Sequence, residues 1–467
     1  MPFDVRIQCP AYRLVLLATY NQSADRASNV WELWEVMAMK WNRRRQCVTV
    51  ASVLVLCFSS GLSRAQDPDV VLRTTLVLPE LIHEVLVRNP ELVAARQQWE
   101  AATQRITQAR SLDDPILSVQ LWNVPQTVNV TQAQNSVFGL SQSFPFPGKL
   151  ALKGDVASRS AEMTEQAVRG KERELVARLK QAYYDLFLAQ KAIQIHYEQV
   201  ELIRQFVEIA TAKFRTGKGT QTDVLKAQVE LSMLFQQLPV LEQRRETADA
   251  MLNTLLDRDP AAPLGLAQAP SQLPLEKPID DLHRLALNDR PELKAAELAV
   301  QRNEQSRALA QRQYYPDFNV AFQRFQNFQA NDGFGAYVAM SIPFAFWTKP
   351  KYDAGVQEAA AAVSVARAQQ HALENLTRFQ INDLLAKLRA ADQVATLYRT
   401  TILPQAEQSL DAARVGYRVG KAGFLDLIDA QRAWRGFQLE YVKALVDRQH
   451  RLAELEQVVG IDLDHLG

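Results

Sequence analysis

The chain has 467 residues, and its 53 lysines and arginines nearly balance 52 aspartates and glutamates, so no net field argues for a nucleic-acid partner. With 22% charged and 47% hydrophobic residues, the composition is that of a folded protein and excludes a disordered one. At roughly 150 residues per domain, the length admits two or three.

The first residues do not read as the start of a fold. Arg43-Arg44-Arg45 precede an apolar run, Cys47 to Leu62, that ends in Ser63-Arg64-Ala65-Gln66. This is the basic region, apolar region and small-x-small cleavage site of an export signal, with the cut after Ala65. The run is shorter than the about 20 residues that a spanning helix needs. A signal begins only a few residues before its basic cluster, so residues 1–36 read as an extension upstream of a true start at Met37 or Met39, and 37–65 as the signal peptide. All three cysteines, Cys9, Cys47 and Cys57, precede the cut. The mature chain then has no disulfide, thiolate metal site or cysteine nucleophile. Cys57 as a lipidation site is the lesser reading, since Leu56 before it is bulky. The expectation is an exported protein of a Gram-negative-type envelope.

The remaining chain divides into two structural repeats, 66–275 and 276–467. Asn89-Pro90-Glu91-Leu92 opens an Ala/Gln/Arg/Glu-rich helical stretch to residue 112; Asp114-Pro115 then introduces two alternating segments, strands at about 115–124 and 136–145. A helix follows over about 148–215. It has no proline, and apolar or small residues recur at Leu175, Leu179, Ala182, Leu186, Ala189 and Ile193, in the 3.5-residue period of a coiled-coil seam. A helix of that length reaches roughly 100 Å, more than a compact core holds. A return helix runs over about 221–256. The second repeat has the same order: Arg290-Pro291-Glu292-Leu293, strands at about 316–326 and 335–344, a helix over about 350–416 with Pro404 as a kink, and a return helix over about 424–459.

Between each long helix and its return stands the same sentence, FRTGKGTQTDVLKAQ from Phe214 and YRVGKAGFLDLIDAQ from Tyr417. Gly217 and Gly219, and Gly420 and Gly423, suit a tight reversal between antiparallel helices. The two copies are therefore the tips of two helical hairpins.

The alternating segments, nine or ten residues long with aromatics near their ends, suit strands that cross an outer membrane; a small solvated sheet is the alternative. If they cross, four strands cannot close a barrel, and open edges are not tolerated in lipid. Three copies would supply about twelve strands, within the known range.

The duplicated layout and both repeated sentences resemble the TolC-like outer-membrane efflux family over about residues 70–460. The segment LSQSFPFPGKLALKG (140–154) is similar to the strand-to-helix junction of the CzcC-like branch, which serves RND-type heavy-metal and cation exporters. The resemblance implies a mainly α fold with a membrane β-barrel portion. Long coiled-coil hairpins and four transmembrane strands per chain form, in a homotrimer, a 12-stranded barrel and an α-helical periplasmic tunnel. The implied partners are outer-membrane lipid, a periplasmic adaptor (membrane fusion) protein and an inner-membrane RND pump, with no cofactor and no nucleic acid. The implied role is the passive exit duct of a tripartite efflux system, carrying metal cations or drugs. A type I protein secretion conduit of the same fold and a soluble periplasmic coiled-coil scaffold are the alternatives.

By the same resemblance, Tyr417, Asp426 and Asp429 on one tip and Thr222 and Asp223 on the other close the periplasmic end. The family's arginine does not carry over: its place is Ala422, beside Lys421. In a trimer Asp426 and Asp429, three apart on a starting helix, would stack two carboxylate rings that favour cations. The plainer account is that Asp426 and Asp223 stabilise helix N-termini. Arg215, Gly217, Lys218, Arg418 and Gly420 are the expected adaptor-contacting tips; solvated loop charges are the alternative for the basic ones. An enzyme is not expected: His83, His196, His283, His371, His450 and His465 are scattered singly, and no phosphate loop or metal-ligand cluster is present. His196 falls on the coiled-coil seam, as packing or a polar register marker. Asp429 stands where the first copy has Lys226, so the tip at 417–431 is the one expected to move.

Overall fold

The computed structural model describes residues 75–122, 124, 135–270, 277–327, 331–343 and 345–463. The signal segment 37–65, the extension before it, the three cysteines and His465 lie outside the described residues.

The first half runs β1 (Thr75–Leu76), α1 (Leu78–Arg88), α2 (Pro90–Arg110), β2 (Ile116–Trp122), β3 (Asn135–Phe144), α3 (Lys149–Arg215) and α4 (Gln221–Leu255). The second runs β4 (Leu266–Ala267), α5 (Ile279–Asp289), α6 (Pro291–Arg312), β5 (Phe318–Asn327), β6 (Gly333–Met340), α7 (Lys349–Leu397), a π-helical turn (Tyr398–Ile402), α8 (Leu403–Val419) and α9 (Phe424–Val459). A short parallel pairing of β1 with β4 ties the halves together. β6 stops at Met340, short of the end of its alternating segment; the register continues to Ser341 on Asp317 and then meets Pro316, which has no N–H for a ladder.

Near the sheet the helices lie in the order α2, α3, α6, α7; farther away the order is α4, α3, α9, α8. The long rods α3 and α7–α8 therefore continue through both levels, whereas α2 meets α4, and α6 meets α9, end to end. The duplicated Asn-Pro and Arg-Pro dipeptides sit at these two joints. Asn89 Oδ1 accepts the Glu91 N–H at 2.9 Å, while its Nδ2 donates to the Leu255 carbonyl at 2.9 Å. One buried amide thus satisfies an orphan donor of α2 and an orphan acceptor of α4. At the second joint Gly460 (φ +86°) ends α9 directly against Arg290, whose Cα would lie 3.0 Å from any added Cβ. The Arg290 guanidinium turns to α7, donating to Thr377 Oγ1 (2.9 Å) and Gln380 Oε1 (2.8 Å). Each joint has its own apolar core: Leu81, Val85, Leu179, Leu252 and Leu256 at the first, Leu282, Ile381, Leu388, Leu455 and Val459 at the second.

Pro404 does not bend a regular helix. The irregularity lies just before it, where Leu403 N–H bonds the Tyr398 carbonyl five residues back. A proline supplies no N–H to the carbonyl four residues earlier and crowds it, so the wider turn accommodates the ring.

β2, β3, β5 and β6 form one sheet in that order, every neighbour antiparallel. Its register puts Leu117, Leu140, Phe322 and Ala336 in one row and Val119, Phe138, Arg324 and Phe334 two rows on, all on one face. The row between, Ser118, Gly139, Gln323 and Gly335, faces the other way. The apolar face is open: Leu117 is 75% and Phe334 69% exposed. Water would penalise such a face; a bilayer favours it, which supports the membrane reading over the solvated sheet. Among the described residues no helix is long and apolar enough to cross a membrane.

The helices at the two margins carry a second apolar stripe. On α4, exposed Leu225, Val229, Met233 and Val240 lie opposite the packed Ala227 and Leu234. On α7 and α8, exposed Leu376, Phe379, Val394, Leu397, Val415 and Val419 lie opposite Ile381, Leu388, Leu410 and Tyr417. This second face is left unburied within the chain.

Candidate functional site

The two copies of the repeated sentence meet in one cluster. Ile203, Phe206 and Ala210 of α3, Ala227 and Leu234 of α4, Leu410 and Tyr417 of α8, and Phe424, Leu427 and Ile428 of α9 pack together. Both tips close alike. Gly217 and Gly420 take left-handed φ of +69° and +81°, and the next N–H reaches back five residues: Lys218 to the Lys213 carbonyl (2.9 Å), Lys421 to the Gly416 carbonyl (2.8 Å). This satisfies orphan helix carbonyls, and only glycine takes the left-handed position without strain.

The helix starts differ. Thr220 Oγ1 accepts the Asp223 N–H at 3.2 Å, capping α4. On α9 the capping side chain is Asp426, whose Oδ2 accepts the Gly423 N–H at 2.9 Å. Asp426 therefore caps its helix while remaining exposed. Asp429 is exposed as well, 3.9 Å from Arg432, a surface pair of little energy. Thr222, Lys421, Arg215, Lys218 and Arg418 are exposed at the tips.

Tyr417 is the sequence candidate that is buried, at 4% exposed. Its ring stands edge-on to Phe424, centroids 5.4 Å apart, and its hydroxyl has no hydrogen-bond partner among the described residues. Burial, and then the negative charge of Asp223 across the hairpins, push the phenol up to about 12. Of the expected acids, Asp223 is the one whose charge acts on the Tyr417 phenol, whereas Asp426, Asp429 and Lys421 are exposed on the second tip. Phe214, the counterpart of Tyr417, is exposed.

Sequence reasoning missed two features here. Lys213 of α3 places its ammonium 4.3 Å from the Tyr417 ring centroid and donates to the Tyr417 carbonyl. Farther along lies a buried polar chain: Gln431 donates to Gln199 (2.6 Å), which donates to Gln438 (3.2 Å). Beside it Arg432 bridges to the buried Glu230 at 3.2 and 2.5 Å, and that carboxylate raises the Arg432 pKa. His196 packs into this layer with Nε2 unpartnered among the described residues; burial, then the Arg435 charge, lower its pKa. No group of three or more His, Cys, Asp or Glu among the described residues could hold a metal ion.

This geometry places two packed hairpin tips at one end of the long rods and the sheet at the other. The chain matches the Outer membrane efflux protein family over residues 81–258 and 282–461. It belongs to that family. The two matched blocks fall one on each half of the duplication. It is similar to the cobalt-zinc-cadmium resistance protein CzcC of Cupriavidus metallidurans, 22% identical over 379 residues, 80% of this chain and 87% of that one. It is also similar to the alkaline protease secretion protein AprF of Pseudomonas aeruginosa, 25% identical over 427 residues, 81% and 83% of the two chains. The fold is that of the Vibrio cholerae outer membrane protein VceC, with TM-score 0.68 at 18% identity over 83% of this chain and 96% of that one. As an outer membrane efflux protein, the chain resides in the outer membrane and extends into the periplasm.

Proposed function

We propose that this efflux protein is the passive exit duct of a tripartite system. Three copies close a 12-stranded barrel above a helical tunnel, and a periplasmic adaptor joins the tunnel to an inner-membrane RND pump. One observation carries this: the chain's two margins are complementary at the sheet edges and along the helices toward the tips. β2 and β6 are the unpaired sheet edges and run in opposite directions, so β6 of one copy can pair antiparallel with β2 of the next. The apolar stripe of α4 lies on the β2 margin and that of α7 and α8 on the β6 margin. Such a head-to-tail contact makes a ring when its rotation closes, and three copies supply twelve strands.

The test uses the lack of cysteine after residue 65. Ser118→Cys in β2, combined in turn with Tyr337→Cys and Ala339→Cys in β6, should on oxidation give dimer and trimer bands and nothing larger. A ladder running past three, or no cross-link for either pair, would sink the ring.

Within this duct the tips are the gate and the adaptor-facing end. Asp426 and Asp429 face the passage and favour cations, and Arg215, Gly217, Lys218, Arg418 and Gly420 meet the adaptor. Tyr417, Thr222, Asp223 and Lys421 complete the constriction, and the hairpin of 417–431, whose rod contains the π turn, moves on opening. Asparagine at both acids removes the charge yet keeps the acceptor that caps α9. Asp426→Asn/Asp429→Asn channels should therefore assemble normally but lose block by polyvalent cations in single-channel recordings. Unchanged block would remove the acids from the passage.

Metal cations are the favoured cargo, supported by the likeness to CzcC over most of both chains. The likeness to AprF supports polypeptide secretion as the second reading. Deleting the gene and scanning metal sensitivity against secreted protein separates them. No catalysis and no cofactor belong to this role.

A further inference from the structure

We infer that Lys213 is a latch that ties the first hairpin to the second and positions Tyr417 in the closed tip; this rests on the duct reading above. Lys213 is in the last turn of α3, and Tyr417 in the last turn of α8. The ammonium does two things at once: it donates to the Tyr417 carbonyl and sits over the Tyr417 ring, 4.3 Å from its centroid. That carbonyl is one of the last of its helix and otherwise receives only the Gly420 N–H, at 3.2 Å. A cation there satisfies a free lone pair and meets the negative end of the helix dipole, while the ring face adds a cation–π attraction.

Tyr417 lacks any polar anchor of its own. Its hydroxyl is buried without a hydrogen-bond partner among the described residues, and its ring touches Phe424 of the adjoining helix in the same hairpin. The polar tie between this tyrosine and the other hairpin is therefore Lys213. Asp223 adds negative charge nearby without a bond to the phenol.

The duplication makes the latch one-sided. Position 213 of the first copy corresponds to Gly416 of the second, and a Cβ at Gly416 would stand 2.9 Å from Ala422 Cβ. A reciprocal lysine would force the second tip apart. Each chain thus has one latch, directed from the hairpin without the π turn to the hairpin that contains it. Opening of the second hairpin must first break the Lys213 contacts.

Purified full-length trimer in planar bilayers tests this. Lys213→Met, which keeps bulk and loses charge, should raise the open fraction about tenfold, the factor that ~1.4 kcal/mol of lost coupling gives. Lys213→Arg should stay near wild type. Tyr417→Leu, which removes the ring contact but keeps the carbonyl that Lys213 reaches, should open part-way, and adding Lys213→Met should open it further. To separate latching from folding, Lys213→Cys is assembled first and then treated with bromoethylamine, which rebuilds an ammonium of nearly lysine length. Recovery of the low open fraction establishes the latch; persistent high conductance after complete alkylation refutes it. A wild-type channel that conducts with Lys213→Met indistinguishable from it also refutes the latch while leaving the duct intact. A wild-type trimer that forms no channel refutes the duct itself.

Discussion

Lys180→Met is expected to cost about 3–5 kcal/mol of stability, as removing one partner of a buried ion pair does. Lys180 comes from α3 of the first half and Glu456 from α9 of the second, and their charged atoms lie 2.6 Å apart. The side chains are 6% and 8% exposed. Glu456 also accepts the Leu463 N–H at 2.9 Å, and Asp462 lies 3.5 Å from the lysine. Without the lysine, the Glu456 carboxylate stays buried between helices and loses the cation 2.6 Å away. The check is thermal unfolding in detergent, followed by helical circular dichroism. Lys180→Met/Glu456→Met should recover part of the loss, because two apolar side chains of similar volume carry no desolvation cost, while the Leu463 N–H left without its acceptor keeps the double variant below wild type. A double variant as weak as the single one would show that packing, not charge, sets the effect.

The second large effect is expected at the junction of sheet and helices. Lys149 is almost fully buried, and its ammonium donates to Asp317 Oδ1 at 2.8 Å and to the Tyr315 carbonyl at 2.9 Å. Asp317 Oδ1 also accepts the Phe146 N–H at 2.8 Å, and the Asp317 backbone pairs with Ser341. The ends of β3, β5 and β6 and the start of α3 therefore share one knot, with Phe146 stacked on Tyr315 at 4.5 Å. Lys149→Met should cost about 2–3 kcal/mol, below the fully buried case because Asp317 remains partly hydrated. The loss should appear as less folded protein in the outer-membrane fraction. Asp317→Asn, which keeps an acceptor for Phe146, should fall between. Wild-type yield from Lys149→Met would remove the knot from the account of assembly.

The helical build was legible because its signal is local. Leu175, Leu179, Ala182 and Leu186 fall at coiled-coil spacing in a proline-free stretch, and all four are buried. The alternation Leu117, Val119, Leu121 likewise marks one face of a strand. Neighbours are less legible than faces. Gln228 and Gln431 occupy the same place in the repeated sentence, yet the first is exposed and the second wholly buried. The reason is tertiary: α4 is a margin helix, whereas α9 lies between α3 and α8. Periodicity gives the side a residue occupies, not what stands there. Asp426 could be read as a cap from Gly423-Phe424-Leu425-Asp426 alone. Lys213 could not, because the repeat draws the eye to matching positions, and its signal is the mismatch with Gly416. The Asn-Pro and Arg-Pro dipeptides announced helix starts; that each also receives the end of another helix depends on contacts 166 residues apart in the case of Asn89 and Leu255.

Those joints alternate with unbroken rods: α2/α4 jointed, α3 continuous, α6/α9 jointed, α7–α8 continuous. No interrupted helix adjoins another interrupted one. A torque applied at the tips therefore always travels past a joint along an unbroken neighbour, and the layer resists being pulled apart at any single level. Because the abutting helices share no covalent backbone, the stretches above and below a joint need not keep one helical phase. The lower segments can follow a coiled-coil period while the upper ones follow an ordinary helix, and the accumulated angular difference is shed at the joint instead of straining the core.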